Sequence, residues 1–291
     1  MAEVGICLLM TEHDFDIVGL ARKVEELGFG SLWAPEHGVV PADFSVGAAG
    51  AAAGAPSAYS DGRINQIMDP LVYLAAAAAA TKTIRLGTGI CLVPERNPIR
   101  LAKEVATLDL VSGGRFVFGI GAGWLQGEAE LLGADFPRRW AQTREYVYAM
   151  KELWTEQEPE FHGRWVDFPP IICNPKPAQQ PHPPVMIGGE LSRAGQRVAD
   201  YGDGWLPRAR TTSVYHDPDK LPEARAHIEE MYRANGRDPS SLNITMWDAP
   251  PDREQNRRFF DAGANHVVHM LTTRGERETL EELERVAEGA L

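Results

Sequence analysis

The sequence predicts a (β/α)8 TIM barrel, and three observations predict it. Eight short apolar runs of strand character occur at residues 4–9, 31–34, 84–92, 115–120, 185–187, 204–206, 242–247 and 266–271, each followed by a helical pattern. The alternation holds from end to end, which calls for a parallel sheet with crossover helices. The length of 291 residues holds a barrel of about 250 residues with room for insertions. A doubly wound sheet is the alternative that the alternation allows. Eight βα units plus two insertions, after strands 2 and 4, account for residues 1–291 as a single domain.

Each element has its own signals. After the first strand, Ile17, Leu20, Val24 and Leu27 fall on one helical face, and Gly28 is a natural stop. The second strand runs into Glu36-His37. Asp69-Pro70 opens the next helix with a capping side chain and a proline at the first helical position, before the alanine run 75–80. The third strand carries Gly87-Thr88-Gly89-Ile90, and glycines inside a strand mark a bulge or a close ligand approach. Asn97-Pro98 starts a helix with Leu101, Val105, Leu108 and Val111 as its stripe, and Gly113-Gly114 ends it. Later helices fall near 138–154, 191–201, 219–234, 252–262 and 276–288. Two segments, 38–68 and 156–184, exceed ordinary loop length. The first follows strand 2, so a barrel places it on the C-terminal face, as a mobile lid or a tolerated excursion.

Composition narrows the function. Lys and Arg number 29 against 41 Asp and Glu, a net charge of −12 that repels polyphosphate and argues against nucleic-acid binding. No apolar stretch reaches the roughly 18 residues of a membrane span. No basic, apolar leader opens the chain, so the expected location is cytoplasmic. Three cysteines (Cys7, Cys91, Cys173) without a C-x-x-C exclude a disulfide framework or a cysteine zinc site. The eight histidines form no H-E-x-x-H array, and no metal is expected.

Several motifs carry chemistry. Gly119-Ile120-Gly121-Ala122-Gly123 follows a strand, but its third glycine is misplaced for a dinucleotide fingerprint. Gly188-Gly189-Glu190-Leu191-Ser192 follows a strand and opens a helix, where free N–H groups form a phosphate cradle or simply a tight turn. His37, beside Glu36 at the rim, can hydrogen-bond or move a proton near neutral pH. Cys91 reads as a small buried hydrophobe. Met10, Trp124, Trp205 and Trp247 at strand ends could wall an apolar pocket. Arg63, Arg193, Arg197, Arg208 and Arg210 could serve an anion.

Together, several segments resemble the bacterial luciferase-like flavin and deazaflavin oxidoreductase superfamily. They are residues 27–37 (LGFGSLWAPEH), Leu86-Gly87-Thr88-Gly89-Ile90, residues 98–123 with Ser112-Gly113-Gly114-Arg115, Trp124, residues 175–179, residues 183–189 and Asp203-Gly204-Trp205-Leu206-Pro207. The branch that uses coenzyme F420 is the most similar. The resemblance implies a barrel whose mouth holds a tricyclic ring, and a non-proline cis peptide at Gly89-Ile90. It implies that His37 lies beside the reactive part of the ring and that Gly188, Gly189, Glu190 and Ser192 hold a phosphate. It places Thr88, Gly89, Ile90, Gly121, Ala122, Gly123 and Trp124 around the cofactor, with His37 and Glu36 as the catalytic candidates, and a homodimer as the default assembly. Two departures matter. Some deazaflavin dehydrogenases carry a catalytic glutamate where this chain has Trp124, although Glu128 is near in sequence. Some flavin users carry an arginine where this chain has Ala122. The resemblance thus implies hydride transfer between F420 and a small organic substrate. The alternatives are an FMN-dependent monooxygenase and a non-catalytic flavin- or deazaflavin-binding protein. An acidic mouth would favour FMN, because F420 adds an acidic glutamate tail to its phosphate.

Overall fold

In the computed structural model, which describes residues 3–9, 11, 16–42, 44, 63–272 and 275–291, eight parallel strands close into a barrel. They are β1 (Glu3–Cys7), β2 (Ser31–Ala34), β3 (Arg85–Thr88), β4 (Phe116–Gly121), β5 (Val185–Gly188), β6 (Gly204–Leu206), β7 (Asn243–Trp247) and β8 (His266–Met270). Every strand pairs with its sequence neighbour, and β1 closes the ring on β8 in the register Glu3↔His266 to Cys7↔Met270. The doubly wound alternative is excluded by that closing pair, since an open sheet leaves its edges apart.

The surrounding helices are α1 (Ile17–Glu26), α2 (Pro70–Ala80), α3 (Pro98–Ser112), α4 (Arg139–Thr155), α5 (Leu191–Tyr201), α6 (Leu221–Ala234), α7 (Arg253–Asp261) and α8 (Glu276–Ala290). Their ends follow the expected capping chemistry. The Asp69 carboxylate accepts from Leu71 N at 2.9 Å and Val72 N at 3.0 Å, and Asn97 accepts from Arg100 N at 3.1 Å. Such caps contribute about 1 kcal/mol each. Gly113 ends α3 in the left-handed region, φ 69°, which only glycine adopts without cost.

Strand alternation divides the core. One face of each strand meets the helices through Ile6, Leu32, Leu86, Phe118 and Ile187; the other fills the barrel with Trp33, Val117, Met186, Leu206 and Val268. Burying each such side chain stabilises the fold by about 1.5–3 kcal/mol.

Three features differ from expectation. The predicted strand 84–92 is broken: after β3, the cis peptide Gly89–Ile90 interrupts it, and Cys91–Leu92 pairs only with Ile120 and Gly121. A short helix, Gln126–Leu131, follows β4. The segment 156–184 comes after α4, so it lies at the N-terminal end of the barrel, away from the mouth. There Phe161–His162 pairs antiparallel with Asp167–Phe168, and Gln179 fastens to Asp109 and to the carbonyl of Phe116, the first residue of β4. Most of the predicted lid, together with Met10, lies outside the described residues.

Candidate functional site

The C-terminal strand ends surround a cavity of about 440 Å³, within the size range of cofactor sites. Eleven of the thirteen predicted site residues line it: Glu36 and His37 after β2, Gly89 and Ile90 in the bulge, Gly121 to Trp124 after β4, and Gly188 to Glu190 after β5. Thr88 and Ser192 do not. The Thr88 hydroxyl donates to the Gly119 carbonyl at 2.7 Å, which makes it part of the barrel wall. Ser192 is exposed on the first turn of α5.

The bulge is fitted by absence of side chains. A Cβ at Gly89 would stand 1.9 Å from Cη2 of Trp247, and one at Gly121 would stand 1.8 Å from Cδ1 of Ile90. Ile90 therefore projects across the ends of β4 and β5, where a Cβ at Gly188 would already meet its Cγ2 at 3.2 Å. An isoleucine flanked by two glycines is a flat apolar platform suited to a planar ring.

Two carboxylates organise the rim. Glu128, on the short helix, receives His37 Nδ1 at 2.6 Å on Oε2, and its Oε1 accepts from Gly38 N at 2.6 Å and Val39 N at 3.3 Å. Both side chains are almost fully buried, 3% and 1% exposed. With Nδ1 held in this way, ring chemistry directed at the cavity runs through Nε2. Glu36, expected to act beside His37, has another engagement. It accepts from Leu92 N at 2.6 Å and from Arg96 Nε at 2.5 Å, and Arg96 also reaches Asp69, the cap of α2. The partner of His37 is thus Glu128. In the sequence, Glu128 stands out only as an acid four residues beyond Trp124.

Behind Gly123 stands a third acid, Glu95, whose buried Oε1 has no hydrogen-bond partner among the described residues. Burial and the charges of Glu128 and Glu36, only partly offset by Arg96, push its carboxyl up to about 9. It is neutral at pH 7.

The opposite side of the mouth mixes charges: Glu190 lines it with Arg208 and Arg210, and Asp248 lies close enough to the two arginines for their charges to oppose the rise that burial imposes on its carboxyl. Trp205 Nε1 donates to the Gly189 carbonyl at 2.8 Å, fixing the glycine turn. Glu190 at the N-terminus of α5 provides no side-chain cap, so the first N–H groups of that helix remain available to an anion. Trp124 packs edge-on against His37 at 5.8 Å between ring centroids, forming a wall of the cavity without filling it. Among the described residues no three His, Cys, Asp or Glu side chains gather to hold a metal. No helix among them is long and apolar enough to cross a membrane.

Residues 12–247 match the model of the luciferase-like monooxygenases. The chain belongs to the luciferase-like monooxygenase family. Across the family, an uncharacterized protein of Mycobacterium tuberculosis is 34% identical over 97% of this chain and 96% of its own length. An FMNH2-dependent dimethylsulfone monooxygenase of Pseudomonas putida is 33% identical, but over only 45% of this chain and 36% of its own length. Among solved structures, an F420-dependent secondary alcohol dehydrogenase in complex with an F420-acetone adduct superposes with a TM-score of 0.73 at 20% identity, covering 98% of both chains. The proteins it is similar to thus include an F420-dependent enzyme, alike in fold, and an FMNH2-dependent one, alike in part of its sequence.

Proposed function

We propose that the protein is an F420-dependent oxidoreductase that transfers a hydride between the deazaflavin and a small organic substrate. The observation that carries this reading is the pair Arg208 and Arg210, which line the same cavity as the glycine turn in a chain with a net charge of −12. Cations placed at the mouth are what a cofactor with a phosphate and an acidic tail requires. Ala122 at the lip agrees with it. When bound, the deazaflavin supplies a two-electron hydride carrier that reacts poorly with oxygen.

The chain's residues supply the rest. Gly188, Gly189 and the start of α5 would hold the phosphate through backbone N–H groups. Ile90 would support one ring face and leave the other for substrate. Trp124 and Trp247 keep water from the reacting centre. His37, oriented by Glu128, would hold or exchange a proton with the substrate oxygen through Nε2. Alcohol oxidation and enone or imine reduction use the same arrangement in opposite directions.

Titrating the apoprotein with F420 and with FMN, followed by cofactor fluorescence, tests the reading. Saturable F420 binding is expected; tight FMN binding without F420 binding would overturn it in favour of a monooxygenase. Bound F420 that no alcohol, enone or imine ever reduces or oxidises would point to a binding protein. His37→Ala should lower the hydride-transfer rate by about a hundredfold or more, and an unchanged rate would remove His37 from the chemistry.

A further inference from the structure

Next to the glycine turn, α4 and α5 pack side by side, and their outer edges carry four arginines: Arg139 and Arg144 on α4, Arg193 and Arg197 on α5. Trp140 lies between them. It lines the cavity on one side and carries the Arg197 guanidinium at 3.8 Å from its ring centroid on the other. None of the four arginines forms an ion pair with a carboxylate among the described residues, although acids outnumber bases by twelve. Arg139 donates only to the carbonyls of Gly123 and Phe136. The acids nearest in sequence are engaged elsewhere: Glu190 bears on the Tyr215 phenol, Glu145 accepts from Trp165 N and Val166 N, and Asp200 accepts from the Gln196 and Asn235 amides. Arg193 and Arg197 stand four residues apart on one helix face, a like-charge spacing that destabilises a helix.

The cluster is also strained electrostatically. Burial and the Arg193 charge lower Arg139; burial, Arg193 and Arg139 lower Arg197. Beneath Arg144 and Arg197, the buried Tyr201 hydroxyl has no hydrogen-bond partner among the described residues. Uncompensated positive charge in a row, leading away from a phosphate turn, fits a ligand with several anionic groups in a row.

We propose that this strip of arginines along α4 and α5 binds the successive carboxylates of an acidic tail extending outward from the phosphate at Gly188 and Gly189. The proposal rests on the deazaflavin reading, because F420 carries an oligoglutamate tail and FMN ends at its phosphate. Arg193 and Arg197 are the principal contacts, and the stacking of Arg197 on Trp140 holds one of them in place before binding.

The test compares F420 bearing several glutamates with F420 lacking them, by fluorescence titration against the wild-type protein and an Arg193→Gln/Arg197→Gln variant. The wild type should bind the tailed form about tenfold more tightly, and the preference should shrink as salt is raised. The variant should lose the preference while binding the tailless form within about twofold of wild type, a result that also reports an intact fold. Equal wild-type affinity for the two forms, or a variant that keeps the preference, would overturn the arginine strip and leave the cofactor reading standing. Binding of neither form would overturn both.

Discussion

At the scale of residues, the rim depends on which oxygen holds which hydrogen. Both oxygens of Glu128 are committed to the segment carrying His37, so a neutral amide there removes the charge that favours the correct imidazole tautomer and leaves an N–H group facing a donor. Glu128→Gln should reduce kcat by about tenfold or more, with less effect on KM, and should change the pH profile of the reaction; steady-state kinetics across pH checks it. Unaltered kcat would make Glu128 a purely structural link. Glu95 acts through protonation. Its folded value of about 9 lies above the ordinary 4.5, so between those values the folded protein holds a proton that the unfolded chain has released. Stability therefore falls as pH rises through that window. Thermal melts from pH 5 to 9 should show this decline, and Glu95→Gln should flatten it and raise the Tm at pH 8. The platform yields a third prediction. Gly121→Ala forces Ile90 aside and should cost about 1–3 kcal/mol. Adding Ile90→Val, which removes the clashing Cδ1, should restore part of that loss in denaturant melts.

At the scale of elements, helices are locked to strands by side chains at turns. Glu25, in the last turn of α1, accepts from Lys82 N, Thr83 N and Ile84 N and from the Thr83 hydroxyl at 2.6 to 3.3 Å, anchoring the turn that starts β3. Burial alone would raise its carboxyl, but these donors outweigh it and hold the group at about 2. Such an acid stabilises the fold fully above the ordinary 4.5, and the contribution is lost as pH falls toward 2. Glu25→Gln should therefore melt below wild type at pH 7, with the gap closing between pH 4.5 and 2. A gap independent of pH would assign the effect to packing. Element boundaries were legible where local chemistry sets them: 31–34 and 191–201 coincide with β2 and α5, and Asp69, Asn97 and Asp252 cap the helices they precede. The Gln126–Leu131 helix was not legible, because six residues bearing Gly127 and no capping side chain have little helical preference of their own. The Glu128–His37 bond was missed with it, since residues 91 positions apart meet only when the barrel brings two lips together. The role of Glu36 was hidden for the same reason: its partners, Leu92 and Arg96, belong to another unit.

At the scale of the whole molecule, the β1–β8 pairing turns eight units into one ring. No unit can leave without opening two seams of backbone hydrogen bonds. We propose that residues 1–291 unfold as one domain, and calorimetry should give a single transition whose van't Hoff and calorimetric enthalpies agree. Two resolved transitions would contradict it. The ring also sets the division of labour around the barrel. Glu36, Glu128 and His37 gather over β2 to β4 and Arg208 and Arg210 follow β6, so on the proposed reading one side of the mouth handles the proton and the other holds the anion.

The aromatic lining of that mouth has an optical consequence. Trp124, Trp140 and Trp247 are three of the seven tryptophans in the chain, and all three face the cavity. Flavins and deazaflavins absorb where tryptophan emits, so occupancy should dim the intrinsic fluorescence by energy transfer over the shortest distances the molecule offers. The unlabelled wild-type protein thus contains its own reporter of whatever enters the barrel.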